Sequence, residues 1–555
     1  MRIIDSINQA IAKTNGLLLL NGRIVSLDEK KPFAGALYIR DGRIASLGDE
    51  KTIRASVPAH TPVLDCQSGM VIPGLIEGHA HLLKLGYTMA RLPLARAKTF
   101  DDITAMVRDA VKKARPGEWI SGRGWHQENW ISPPEPGENG YPLHDALTQA
   151  APDNPVLLVH STGHSLLANR CAMEKAGVTP STPVPPGGRI QKRASGELTG
   201  LFFETAMPLI QNVMDADRAK RPAAEAEVEE RRALHAALRL CLENGITVFH
   251  DAGIPFRQLE TLAAMDRADA LNITLYAMVG EDNAGLRKSL KAWQGFHGNR
   301  LIVRAIKKTM DGAMGAHTGW LLEPYTDRPD SIGVPVIPPA ELLEAAQIAY
   351  DHGCQLCTHA IGDRANREAL DVYEAFLKQH PDAARLRFRI EHAQHLHPAD
   401  ISRFSQLGVT VMAQGAFVPE DFPWIVKRLG EKRCAEGAFV YRSLLNHGTR
   451  LGASTDAPVI DINPMKNIHA MVARTGPHGE PFYPEQRYTR LEALKAYTLD
   501  NAYAGFMEDE RGTLSPGKRA DITVLSKDIL AVPEEEIPLA HPILTLVDGV
   551  VQYRK

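Results

Sequence analysis

His79 and His81 stand two residues apart in the run GLIEGHAH, and the alternation of a β-strand sends side chains at that spacing to one face, where two imidazoles can meet one metal ion. Two histidines so spaced are also common in ordinary loops, so the pair gains meaning from its company. His359 follows the apolar run CQLCT, His392 follows RFRIE, and Asp456 follows RLGAST. Four imidazoles and a carboxylate suit zinc or a similar first-row divalent ion, but they are few for two ions, which would need a bridging anion. In LIVRAIKKTMDG, Lys307 shares a strand face with Val303 and Ala305, whereas Lys308 shares one with Arg304 and Ile306. The small apolar neighbours make Lys307 the inward lysine. A neutral amine there could take up carbon dioxide as a carbamate, bringing two oxygens and a negative charge; a plain lysine paired with a carboxylate is the other reading.

These residues must be brought together by elements far apart in the chain. Eight short apolar runs, within MVIPGLIEGHAH, GITVFHDAG, NITLYAMVG, LIVRAIKKTMDG, CQLCTHAIGD, RFRIEHAQ, VTVMAQGAF and RLGASTDAP, alternate with helix-like stretches. Ala223 to Asn244 puts Leu234, Leu238, Cys241 and Leu242 on one face and ends in Asn244-Gly245, a helix-stop signature. Eight such units predict an α/β fold, a (β/α)₈ TIM-like barrel, in which chemistry gathers at the C-terminal ends of the strands. One connection is too long for a loop, so residues 88–221 are expected to form an insertion over the barrel mouth. Alternating strands near both ends of the chain, with Asn21-Gly22, Asp41-Gly42 and Asp548-Gly549 as hairpin signals, predict a small β-sandwich built from both termini. The expected division is 1–70 and 505–555 for the sandwich and 71–504 for the barrel with its insertion.

Lys+Arg 63 against Asp+Glu 66 gives a net charge of −3, without the basic patch that nucleic acid or a membrane surface requires. No apolar stretch is long enough to span a bilayer. The first twenty residues, with Asp5 and Lys13 ahead of a short apolar run, lack the pattern of an export signal. Six cysteines are too sparse for a disulfide framework, which favours a reducing, cytoplasmic setting. Cys354 and Cys357 are read as small packing residues on opposite faces of a strand. The partner expected is a small-molecule substrate, with self-association left open.

Together, GLIEGHAH, THAIGD, IEHAQ and ASTDAP resemble the amidohydrolase superfamily in order and strand placement. The long insertion, GRGWHQENW at 122–130 and IKKTMDGAMGAHTGW look like amidohydrolase family 3, which includes N-substituted formamide deformylases. The resemblance implies His79 and His81 on a first metal, His359 and His392 on a second, Lys307 as a carboxylated bridge and Asp456 beside the first metal as catalytic proton carrier. It further implies one or two divalent ions per chain, zinc foremost, and hydrolysis of an amide, formamide or N-acyl carbon–nitrogen bond by metal-activated hydroxide. His164 matches a family Gly-His and is expected either to reach substrate or to be satisfied by backbone carbonyls. His317 stands where many relatives carry an anion-binding arginine, and Trp125 with Trp130 would either line an apolar pocket or fill the core. Asp251 and Asp363 are expected either to orient ligands or to cap helices, and His395 and His397 to be solvated loop residues. Two alternatives remain: a mononuclear deaminase, in which Asp363 would serve as proton shuttle, and a non-catalytic regulatory relative.

Overall fold

A computed structural model describes residues 2–555 apart from 90, 128–129, 136, 139, 161–164, 186–187, 205 and 221. The eight apolar runs become eight parallel strands: β1 (Leu75–Ala80), β2 (Ile246–Ile254), β3 (Thr274–Val279), β4 (Leu301–Thr309), β5 (Gln355–Ala360), β6 (Arg389–His392), β7 (Thr410–Ala413) and β8 (Leu451–Ala453). They pair in chain order, β1 to β8, as a (β/α)₈ barrel requires. The ring is closed by side chains and loops: Asn501 Nδ2 donates to the carbonyls of Ile76 (2.6 Å) on β1 and Ala453 (2.7 Å) on β8. Gly78 permits this approach, because a Cβ there would lie 2.7 Å from the Ala453 carbonyl oxygen and 2.7 Å from Asn501 Oδ1. At the N-terminal end of the barrel, Ile76, Val248, Tyr276, Ala305, Cys357 and Ala502 form a buried plug.

The first run proves to be two strands. Gly74 separates β1 from Met70–Pro73, which pairs instead with Ile522–Leu525 and Arg23–Val25 in a six-stranded sheet drawn from both ends of the chain. That sheet and a four-stranded one share a core of Leu17, Leu37, Ile39, Leu64, Val71, Ile522 and Leu546, as expected of a sandwich. Asp41-Gly42 and Asp548-Gly549 are hairpin turns, each with two positive φ angles joining antiparallel strands. Asn21-Gly22 is not a hairpin: Gly16–Leu20 and Arg23–Val25 belong to different sheets, and Asn21 (φ 52°) turns a corner between them. Its side-chain amide donates to Asp65 at 2.7 Å, and the close packing of Cys66 and Val71 against Gly22 leaves no room for a side chain.

The chain divides into two compact units, Met1–Leu82 with Ala237–Lys555, and Leu83–Ala236. The second contains its own six-stranded sheet, in which Ile120–Trp125, Val156–His160, Ser165–Ala168 and Leu198–Glu204 are the inner strands. The helix Ala223–Glu243 buries Leu234, Leu238, Cys241 and Leu242 as its periodicity predicts. Among the described residues no helix is long and apolar enough to cross a membrane.

Candidate metal centre

The C-terminal ends of β1, β4, β5, β6 and β8 bring the predicted polar residues together. His79 and His81 lie on and just after β1, and Asp456 follows β8. Their ligand atoms all fall within 4.8 Å of one another. The loop after β8 is laced to β1 by backbone bonds, from Asp456 N to the His79 carbonyl (2.9 Å) and from His81 N to the Ala457 carbonyl (2.8 Å). Glu77 strengthens the link, accepting from Thr455 N (2.9 Å) and Thr455 Oγ1 (2.9 Å). The rings of His79 and His392 are 5.0 Å apart and those of His392 and His359 4.4 Å, so the imidazoles form one continuous group. Lys307 is buried, near enough to His79, His359 and His392 to oppose a positive charge on each. Lys308 points the other way, donating to the Glu281 carbonyl (3.0 Å) and facing Glu341.

Each imidazole has one nitrogen occupied, which identifies the other as the free donor. Nδ1 of His81 meets the Ala252 carbonyl (2.8 Å), Nδ1 of His392 meets Gln414 Oε1 (2.8 Å), and Nδ1 of His79 meets the Glu391 carboxylate. These three therefore present Nε2. His359 is reversed: Nε2 meets the Gly312 carbonyl at 3.1 Å and Nδ1 is left. Burial lowers the pKa of His79 and His359 well below the ordinary imidazole value and brings His392 to about 3, so all three are neutral, the form that binds metal. Burial also lowers the Lys307 amine. Burial alone would raise the Asp456 carboxyl, but the imidazoles of His81, His79 and His392 hold it below the usual carboxylate range.

Asp456 Oδ1 is the atom on which the arrangement turns. It is buried without a hydrogen-bond partner, although His79 Nε2 stands 3.5 Å away and His81 Nε2 3.3 Å away. Two imidazole nitrogens and a carboxylate oxygen converging in this way form a donor set that fits a divalent metal ion. Asp456 (φ 57°) and His392 (φ 76°) both occupy the left-handed region, which costs a non-glycine residue about 1–3 kcal/mol and is typical of functional sites.

The remaining described candidates are engaged in contacts of their own. Trp125 is 1% exposed in the core of the Leu83–Ala236 unit, with its indole N–H on the Leu158 carbonyl (3.0 Å), and Trp130 stacks beside it, so within that unit both are packed side chains. His317 adopts φ 56° and faces Asp327 at 3.2 Å, an arrangement that ties down its own loop. His164 lies outside the described residues. Asp363 is not aimed at His359: its Oδ1 accepts from Leu322 N at 2.9 Å at the start of the helix Asp363–Gln379. Asp251 caps the helix after β1, accepting from Leu82 N (3.0 Å). His395 is buried rather than solvated, near Asp363, whereas His397 accepts from Ala399 N as a helix cap. Cys354 and Cys357 are buried, and burial pushes the Cys354 thiol up to about 11.

Three residues behind His79 and His392 went unread in the sequence. Arg389 and Glu391 are fully buried in the barrel, with Arg389 Nε on Glu391 Oε1 (2.8 Å) and Nη2 on Oε2 (2.9 Å). Opposite charges two apart on a buried strand share a face, and that spacing in RFRIEH was a legible signal. Gln414, which holds His392, carried no comparable mark.

The amidohydrolase family model matches residues 62–553. The chain is 34% identical to the protein LONG AFTER FAR-RED 3 of Arabidopsis thaliana, over 92% of this chain and 87% of that protein. It is 28% identical to an N-substituted formamide deformylase of Arthrobacter pascens, over 97% and 98% of the two chains. Among solved structures, an uncharacterized metal-dependent hydrolase from Pyrococcus horikoshii OT3 superposes with a TM-score of 0.73 at 26% identity, covering 94% of this chain and 99% of that one. The chain belongs to the amidohydrolase family.

Proposed function

We propose that the protein is a metal-dependent hydrolase that cleaves a carbon–nitrogen bond in a small amide, formamide or N-acyl compound. The observation that carries this reading is the convergence of His79 Nε2 and His81 Nε2 on the partnerless Asp456 Oδ1, with His359, His392 and Lys307 alongside. His79, His81 and Asp456 would hold one ion and His359 and His392 a second, with Lys307 between them as a carbamate; an imidazole-rich set of this kind suits zinc. When bound, divalent ions supply Lewis acidity, which makes water reactive at neutral pH and polarises a carbonyl. The chain's own part is proton management. Asp456, kept ionised, takes a proton from the attacking water on Oδ2, the carboxylate oxygen left over when Oδ1 faces the metal, and returns it to the leaving nitrogen, which departs poorly from a tetrahedral intermediate unless protonated. Similarity to the formamide deformylase supports formamide-like substrates. All six cysteines are free, in keeping with our assignment to the cytoplasm.

Replacing the carboxylate with an amide separates binding from proton transfer. Asp456→Asn should fold and keep most of its metal while kcat falls by about 10²–10⁴, the usual worth of a positioned acid–base group. Wild-type turnover in this variant would remove Asp456 from the reaction.

A further inference from the structure

We propose that Glu391, itself clamped by Arg389, is a positioning residue that holds the His79 imidazole with Nε2 turned toward His81 and Asp456 and makes that position the tighter of two metal sites. The inference rests on the metal-site reading above and extends it to residues outside the ligand set.

The evidence is an asymmetry behind the imidazoles. His81 and His359 lean on backbone carbonyls and His392 on a side-chain amide, all uncharged acceptors. His359 Nε2 also stands 3.6 Å from Asp311 Oδ1, beyond hydrogen-bond reach, so among the four His79 alone hydrogen-bonds a carboxylate. A charge-assisted hydrogen bond is roughly twice as strong as a neutral one, and it fixes the proton on Nδ1. The anion also makes Nε2 a better donor to a cation. Glu391 cannot turn away from this task, because both of its oxygens are held by Arg389. Arg389 is anchored in turn: Nη2 donates to the Gly78 carbonyl (3.0 Å), immediately before His79, and Nη1 donates to His250 Nδ1 (3.2 Å). One guanidinium thus ties β6 to β1 and β2 directly beneath the ligand. A pair serving the fold alone would be complete with Arg389 and Glu391; the bond to His79 is additional.

The test measures zinc dissociation constants by competition with a chromophoric chelator on the full-length protein. Glu391→Gln leaves Arg389 buried without its anion, so Arg389→Gln/Glu391→Gln, which removes both charges, is measured beside it. In both variants the first zinc should bind about 10–100-fold more weakly while the second changes little. A purely structural role would weaken both sites together, in step with the thermal midpoint, and would overturn the proposal; so would wild-type affinity for the first zinc in either folded variant. Imidazole ¹⁵N spectra of the metal-free wild type give an answer independent of variant folding, since they should show His79 as the Nδ1–H tautomer, and an Nε2–H tautomer contradicts the proposal. If wild-type protein binds no zinc, or His79→Ala binds it normally, the metal-site reading itself fails, a result distinct from failure of the Glu391 role.

Discussion

Lys307 owes its character to its position. An ordinary lysine amine has a pKa near ~10.4 and stays protonated at neutrality, but burial in the barrel lowers that of Lys307, bringing the neutral form that can take up carbon dioxide closer to working pH. Lys307→Ala should therefore lose the second metal, with a short carboxylic acid in solution restoring part of the activity, whereas Lys308→Ala, directed at Glu281 and Glu341, should stay near wild type. Metal analysis and turnover of the two variants check this, and equal losses would contradict it. His392 gives a signed pH effect. Its folded-state pKa of about 3 lies below the ordinary 6.5, so between those values the unfolded chain binds a proton that the folded chain refuses. Its contribution to stability is intact above pH 6.5 and is lost as pH falls toward 3. The urea midpoint of metal-free protein should drop more between pH 7 and pH 5 in wild type than in His392→Gln; parallel drops would refute the assignment. The convergence of the histidines and Asp456 was legible because ionisable side chains stand out at the C-terminal ends of apolar strands. Trp125 was not, since an indole reads the same in a pocket wall and in a core, and only packing separates the two.

At the scale of elements, the closure between β1 and β8 positions Asp456 against the two histidines, and Gly78 sets how closely those strands approach. Gly78→Ala would press a methyl group onto the Ala453 carbonyl and the Asn501 side chain. We expect a loss of about 1–3 kcal/mol, the usual cost of overpacking, together with weaker metal binding; chemical denaturation and chelator competition check both, and unchanged values would mean the seam is more compliant than drawn. The strand sequence of the barrel was readable because buried parallel strands are short apolar runs between amphipathic helices. Partnership was less so. Within the run from Met70 to His81, Pro73-Gly74 marks a break, but nothing local shows that the stretches on its two sides join different sheets. Asn21-Gly22 carries a hairpin signature yet turns a corner, because pairing partners are chosen by the whole core and not by the turn.

For the whole molecule, the chain assembles its barrel and its sandwich from segments that lie on both sides of the Leu83–Ala236 unit. The excess length after β1 signalled that an independent body was present; the expected limits of 88–221 fall inside those of the compact unit, because helices that begin and end an insertion look like any others in sequence. The central claim, a divalent-metal hydrolase of carbon–nitrogen bonds, is tested most directly by stripping the protein of metal and titrating zinc back while assaying a panel of N-substituted formamides and N-acyl amines. The account predicts no turnover without metal, recovery that saturates near two ions per chain, and no recovery in His79→Ala or His359→Ala. Full turnover in metal-free protein, or zinc-loaded protein inert toward every member of the panel, would contradict it.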